Sequence, residues 1–195
     1  MVGEQARILV VCTGNICRSP FIERLLQHEL DQRRSGSELG VVVRSAGTAA
    51  LVGSPMEAQA AAQLVARGGD ASGLTARQLT PGLIAESDLV LTATRAHRGK
   101  VALMCPKVLR RVFTFCDFAD LVAGIDGPAP VTPTDPRGWV KQVTEKAAAS
   151  RGLKPPLASD LADILDPYRR EDEVFAAMAQ QVVESMPAVV RALVG

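Results

Sequence analysis

Cys12 and Arg18 bracket a short polar run, Cys12-Thr13-Gly14-Asn15-Ile16-Cys17-Arg18, whose residue types and spacing can do chemistry. A cysteine surrounded by unpaired backbone N–H groups favours its thiolate, and a thiolate is a nucleophile. The planar guanidinium of Arg18 can grip two oxygens of a phosphate at once. Gly14 and Asn15 are the residue types that enter left-handed backbone conformations most readily, which a loop curling around an anion requires. Ser19 offers a hydroxyl to the sulfur, and Pro20 suits the first turn of a helix, where a missing N–H costs nothing. A cysteine and an arginine at this separation also arise by accident, as a core thiol and a surface cation. Gly14, Asn15, Ser19 and Pro20 at their places argue for the anion site instead.

Such a loop needs a strand before it and a helix after it, and the flanking residues supply both. Ile8-Leu9-Val10-Val11 is a run of β-favouring apolar residues, the mark of a central parallel strand covered on both faces. Ile22, Leu25, Leu26 and Leu30 recur at helical spacing, so residues 20 to about 34 read as a helix, ended by Ser35-Gly36-Ser37. Free N–H groups and the helix dipole converge between the two, which makes an anion site.

Three more strands are expected at residues 40–44, 88–92 and 109–115. They alternate with helices at about 56–67, 94–104, 117–123, 139–150 and 171–194. The alternation predicts an α/β fold: a doubly wound four-stranded parallel sheet with helices on both faces and ligand at the carboxyl ends of the strands. Ser54 is placed to cap the second helix. Val174, Ala177, Met178, Val182, Met186, Val189 and Val190 should form the buried face of the last one. His97 reads as a surface or structural histidine rather than a catalytic base. Glycines and prolines crowd residues 124–136, which reads as loop, and the helix at 139–150 carries Val140, Val143 and Ala147 on one side; the 124–160 segment is either a surface insertion or an edge of a substrate entrance.

Bulk properties narrow the class. A length of 195 residues suits one domain, 1–195, with a sizeable core. A net charge of +1 gives no support for nucleic-acid binding. No signal peptide and no membrane span are expected, because no apolar run is long enough. The four cysteines lack paired CxxC spacing and histidine partners, so no metal or cofactor is expected. Reduced thiols fit a cytoplasmic protein.

The stretch Val11-Cys12-Thr13-Gly14-Asn15-Ile16-Cys17-Arg18-Ser19-Pro20 resembles the signature loop of the low-molecular-weight protein-tyrosine phosphatases. Ser45-Ala46-Gly47-Thr48, Gly53-Ser54-Pro55-Met56, Ala76-Arg77-Gln78-Leu79 and Asp88-Leu89-Val90-Leu91 are similar to family segments in the same order. Asp166-Pro167-Tyr168 resembles the family's general-acid loop, and Pro167 keeps Asp166 extended. The likeness covers most of residues 7–121 and 163–194, and the first and last motifs are the specific ones. It implies a phosphomonoester hydrolase, a protein-tyrosine phosphatase with a phosphocysteine intermediate.

In that reading Cys12 attacks phosphorus, while Arg18 and the loop residues Thr13, Gly14, Asn15, Ile16, Cys17 and Ser19 hold the phosphate. Asp166 protonates the leaving oxygen and later activates water. Tyr168 packs beside the substrate ring, and Ser45 hydrogen-bonds Asn15 to steady the loop. The implied partner is a phosphotyrosine-containing protein, with a tyrosine kinase among the candidates, and phosphate or sulfate should bind the loop. Two positions depart from the family pattern. Leu74 stands where many members carry histidine, and Arg169 where members have a second aromatic residue or glycine.

Several residues keep two readings. Cys17 is either a partner for a reversible disulfide with Cys12 or a small apolar filler. Arg77 is either part of the network under the loop or a surface arginine, and Tyr168 is otherwise a half-buried tyrosine. An arsenate reductase on the same fold would need further cysteines. Cys105 and Cys116 are available, but their spacing is unlike that family's redox pair. Phosphoarginine phosphatases carry threonine four residues after the nucleophile, where this chain has Ile16. A module that binds a phospho-ligand without turnover would not need Cys12, Arg18 and Asp166 together.

Overall fold

The computed structural model describes residues 5–33, 40–124, 135–153 and 155–194. Its centre is a parallel sheet of four strands: β1 (Ala6–Cys12), β2 (Val41–Gly47), β3 (Leu89–Thr92) and β4 (Val112–Thr114). The order across the sheet is β2-β1-β3-β4, with Ile8 opposite both Val43 and Leu89. Helices cover both faces, as the strand–helix alternation requires: α1 (Arg18–Gln32), α2 (Ala58–Val65), α3 (Pro81–Glu86), α4 (Arg95–Met104), α5 (Phe115–Ala123), α6 (Pro136–Ser150), α7 (Ser159–Ala162) and α8 (Asp172–Val194).

Alternation along β1 divides the core in two. Ile8 and Val10 pack with Phe21, Leu26 and Phe175 in the layer that holds α1, α5 and α8. Leu9 and Val11 face the smaller layer, with Ile84 of α3, Val101 of α4 and Val108. Five phenylalanines are fully buried, each contributing about 1.5–3 kcal/mol of transfer free energy. Among the described residues no helix is long and apolar enough to cross a membrane.

Several boundaries differ from expectation, each for a local reason. Helix α1 begins at Arg18 rather than Pro20, so Arg18 itself belongs to the first turn; Ser35-Gly36-Ser37 lies outside the described residues. Ser54 caps nothing. Helix α2 starts later, behind Glu57, whose N–H is taken by the Ile16 carbonyl at 2.8 Å. The expected strand at 109–115 shrinks to three residues because Pro106–Arg111 winds into a 3₁₀ turn and Thr114 already caps α5. In α8 the buried row runs through Phe175, Met178, Val182 and Val189, which leaves Val174 half-buried and Ala177 exposed.

The largest revision concerns α6. Asp135 caps it by accepting from the Gly138 N–H at 2.8 Å. Val140, Val143 and Ala147 are buried, and the helix packs against β1, β3, α5 and α8. It is therefore neither a surface insertion nor part of the cavity described below; the proline-rich residues 125–134 before it lie outside the described residues.

Side chains close both edges of the sheet. On β2 the Gln27 amide donates to the Val41 carbonyl at 3.3 Å and accepts from the Val43 N–H at 2.9 Å, as a neighbouring strand would. On β4 the Arg151 guanidinium donates to the carbonyls of Leu109 and Val112 and lies 3.8 Å over the Phe113 ring.

Candidate active site

Strand β1 ends at Cys12 and α1 begins at Arg18, so residues 13–17 form the loop at the carboxyl edge of the sheet. Its carbonyls are tied outward. Those of Cys12, Thr13 and Gly14 accept from the N–H groups of Thr48, Ala49 and Leu51 at 2.9–3.0 Å. With the carbonyls so committed, the N–H groups turn to the concave side. None from Thr13 to Cys17 has a protein acceptor among the described residues, and such a nest attracts an anion. Asn15 alone in the loop is left-handed, at φ 57°; Gly14 is not, contrary to expectation. Behind the loop, Gly47 must be glycine, because a Cβ there would sit 2.3 Å from the Thr13 carbonyl oxygen.

A buried hydrogen-bond chain supports the nucleophile. Cys12 Sγ and Ser19 Oγ are 2.9 Å apart. The Asn15 amide donates to Ser19 Oγ at 2.9 Å and to Ser45 Oγ at 2.7 Å, and its oxygen accepts the Arg77 N–H at 2.9 Å. That fills both amide donors, and it leaves the Ser19 proton free to point at the sulfur. Ser45 in turn donates to Glu23 Oε2 at 2.6 Å. Arg77 also donates from Nε to the Ser45 carbonyl at 2.6 Å, which resolves it as part of the network rather than a surface arginine. Leu74, in the place of the family histidine, is buried in the main core, and Asn15 is satisfied without it.

The Arg18 side chain is 6% exposed and donates from Nη2 to Asp166 Oδ2 at 2.7 Å. The other oxygen of Asp166 accepts the Tyr168 N–H at 3.2 Å. Cys12, Arg18, Ile16, Leu51, Asp166 and Tyr168 are among the residues lining one cavity of about 170 Å³. The structure thus brings together residues from opposite ends of the chain. Cys17 lines the same cavity and is buried. Burial first, then the charges of Cys12, Glu57 and Asp166, push its thiol up to about 12, so it stays protonated. Cys105 and Cys116 do not line this cavity, and both are free, as are Cys12 and Cys17.

Two supporting residues carried no clear sequence signal. Glu23, 8% exposed, terminates the serine–asparagine chain; its spacing from Ser19, one helical turn, was the available clue. His97, 5% exposed, bridges Thr13 Oγ1 at 2.8 Å and Thr94 Oγ1 at 2.7 Å. Burial, then Arg18 and Lys100, push its imidazole down to about 4, so it is neutral at pH 7 and structural.

Known proteins are similar to this chain in sequence and in fold. Residues 7–145 match the family model described as low molecular weight phosphotyrosine protein phosphatase. The low molecular weight protein-tyrosine-phosphatase Etp of Escherichia coli K12 is 40% identical over 108 residues, 55% of this chain and 68% of that protein. A putative low molecular weight protein-tyrosine-phosphatase of Klebsiella pneumoniae is 30% identical over 180 residues, 91% of this chain and 90% of its own. Among solved structures, Vibrio vulnificus Wzb in complex with benzylphosphonate superposes with a TM-score of 0.65 at 27% identity, covering 95% of this chain and 97% of that one. The YwlE arginine phosphatase from Geobacillus stearothermophilus does so at 0.65 and 26%, covering 95% and 90%. With the loop, its supports and most of its length accounted for in these ways, the chain belongs to the low molecular weight phosphotyrosine protein phosphatase family.

Proposed function

We propose that this protein hydrolyses phosphotyrosine in protein substrates through a phosphocysteine intermediate. The observation that carries the reading is Cys12 beneath an open ring of loop N–H groups, with Ser19 on its sulfur and Arg18 beside it. A phosphate monoester dianion in that ring is held by the N–H groups and Arg18, which also match the equatorial oxygens of an in-line transition state. The Cys12 sulfur forms the S–P bond as the P–O bond to the tyrosyl oxygen breaks.

Asp166 supplies the proton to that oxygen. Its carboxylate pairs with Arg18. An arriving dianion competes for the guanidinium, which frees the carboxyl group of Asp166 to face the leaving oxygen. Once the phenol leaves, Asp166 as carboxylate takes a proton from water, which attacks phosphorus and returns the thiolate; Ser19 donates to the departing sulfur. Thr13, Gly14, Asn15, Ile16 and Cys17 supply the ring, and Tyr168 flanks the substrate's aromatic group. Inorganic phosphate and sulfate bind in the same ring. Residues 1–195 act as one domain, a reading supported by α6 and α8 burying their apolar faces in the same core as α1. A cytoplasmic setting keeps the nucleophile reduced.

The likeness to an arginine phosphatase favours a second reading, hydrolysis of phosphoarginine. Ile16, buried and apolar in the loop, favours the aryl ester. Release of para-nitrophenol from its phosphate tests the main reading. It should vanish in Cys12→Ser and fall by about 10²–10⁴ in Asp166→Asn. Full activity in Cys12→Ser discards the covalent mechanism, and faster turnover of phosphoarginine than of phosphotyrosine favours the second reading.

A further inference from the structure

Arg169 occupies a position that its own backbone disfavours. The Arg170 N–H donates to the Pro167 carbonyl at 3.0 Å, which closes a four-residue turn with Arg169 third. Its φ is 59°, in the left-handed region that glycine or asparagine ordinarily fills at that place. Among the described residues only Asn15, in the phosphate loop, is a second non-glycine residue with positive φ. An arginine at a position whose backbone favours glycine points to a use for that side chain.

The surroundings say what use. The Arg169 guanidinium carbon lies 5.1 Å from the centre of the Tyr168 ring, and Tyr168 lines the cavity that holds Cys12. Stacking of this kind orders the guanidinium while leaving its N–H donors free. No carboxylate pairs with Arg169 or Arg170 among the described residues. Of the acidic residues that follow, Asp172 is engaged by Gln59 at 2.5 Å. Ala49 and Leu51 also line that cavity, and Leu51 and its neighbour Val52 are exposed. Arg169 thus places an ordered cation beside the aromatic side chain that lines the cavity.

We infer that Arg169 makes this site prefer phosphotyrosines flanked by aspartate or glutamate, an inference that rests on the phosphotyrosine reading above. A phosphotyrosine ring seated against Tyr168 leaves its own main chain at the rim. A carboxylate next in the substrate's sequence then meets a guanidinium already stacked in place, so little further ordering is needed on the enzyme's side.

The test is kcat/KM on three phosphotyrosyl peptides of equal length, flanked by glutamate, alanine or lysine, with para-nitrophenyl phosphate alongside. In the wild type the glutamate peptide should exceed the alanine peptide by about fivefold at low salt. The lysine peptide should fall below both, and the spread should shrink in about 0.5 M salt. Arg169→Gln, and Arg169→Gly, which suits the backbone, should each bring the glutamate-to-alanine ratio close to one. Arg110→Gln, an exposed arginine on the 3₁₀ turn outside the rim, should leave that ratio as in the wild type. Equal rates on all three peptides, with para-nitrophenyl phosphate turned over, overturn this inference and leave the phosphatase reading standing. A ratio unchanged in Arg169→Gln also overturns it. Failure of the wild type to hydrolyse para-nitrophenyl phosphate overturns both.

Discussion

Acid should destabilise this protein partly through His97. In the folded chain the imidazole is held down to about 4, against 6.5 for an unperturbed histidine. As pH falls, the unfolded chain takes up its proton first. Stability is whole above about pH 6.5 and is lost progressively until the folded imidazole itself titrates near pH 4. Each pH unit in that window is worth about 1.4 kcal/mol, which sets a ceiling of about 3 kcal/mol. Thr13 is exposed at the cavity mouth and admits water beside the ring, so a loss of about 1–3 kcal/mol is expected. The assay is urea unfolding of the wild type and His97→Gln between about pH 7.5 and about pH 4.5. Glutamine cannot titrate but still reaches Thr13. Every other titratable group is common to the two proteins, so the difference between the two curves isolates His97. Curves that stay parallel across the whole range would refute the linkage.

Two further substitutions probe the supports of the loop. Gly47→Ala drives a Cβ to within 2.3 Å of the Thr13 oxygen; it should lower stability by about 1–3 kcal/mol and reduce para-nitrophenyl phosphate turnover, and an unchanged urea midpoint would mean the contact has slack. Ser45→Ala takes the donor from Glu23 and an acceptor from Asn15; it should cost about 1–3 kcal/mol, and a double-mutant cycle with Glu23→Gln should be non-additive, whereas additive losses would dissolve the proposed chain.

What could be read from the sequence was what local chemistry determines. The apolar run before Cys12 and the left-handed Asn15 follow from neighbours along the chain, and so does the helix after Arg18. The parallel pairing follows from alternation, whereas the order β2-β1-β3-β4 emerged only with the structure. Glu23 escaped notice because, taken alone, it looks like one more polar residue on an amphipathic helix. Its role appears only once β2 places Ser45 above it. His97 likewise depends on β1 and β3 being neighbours, which carries Thr13 to Thr94. On the last helix Met178, Val182, Met186, Val189 and Val190 are buried as expected, and only its first turns differ, where Phe175 rather than Val174 or Ala177 faces the core. Helix α6 was expected with Val140, Val143 and Ala147 on one side, and those residues are buried; what the sequence could not show is that this face meets the sheet and α8.

The capped margins of the sheet limit how this protein can meet others. With Gln27 standing in for a strand on one side and Arg151 on the Val112 carbonyl on the other, an incoming peptide must displace these side chains to extend the sheet. A substrate segment must be recognised by its side chains at the mouth of the cavity. Stretches that are extended, compact or partly helical can then present the same phosphorylated residue, provided it projects far enough to reach the sulfur.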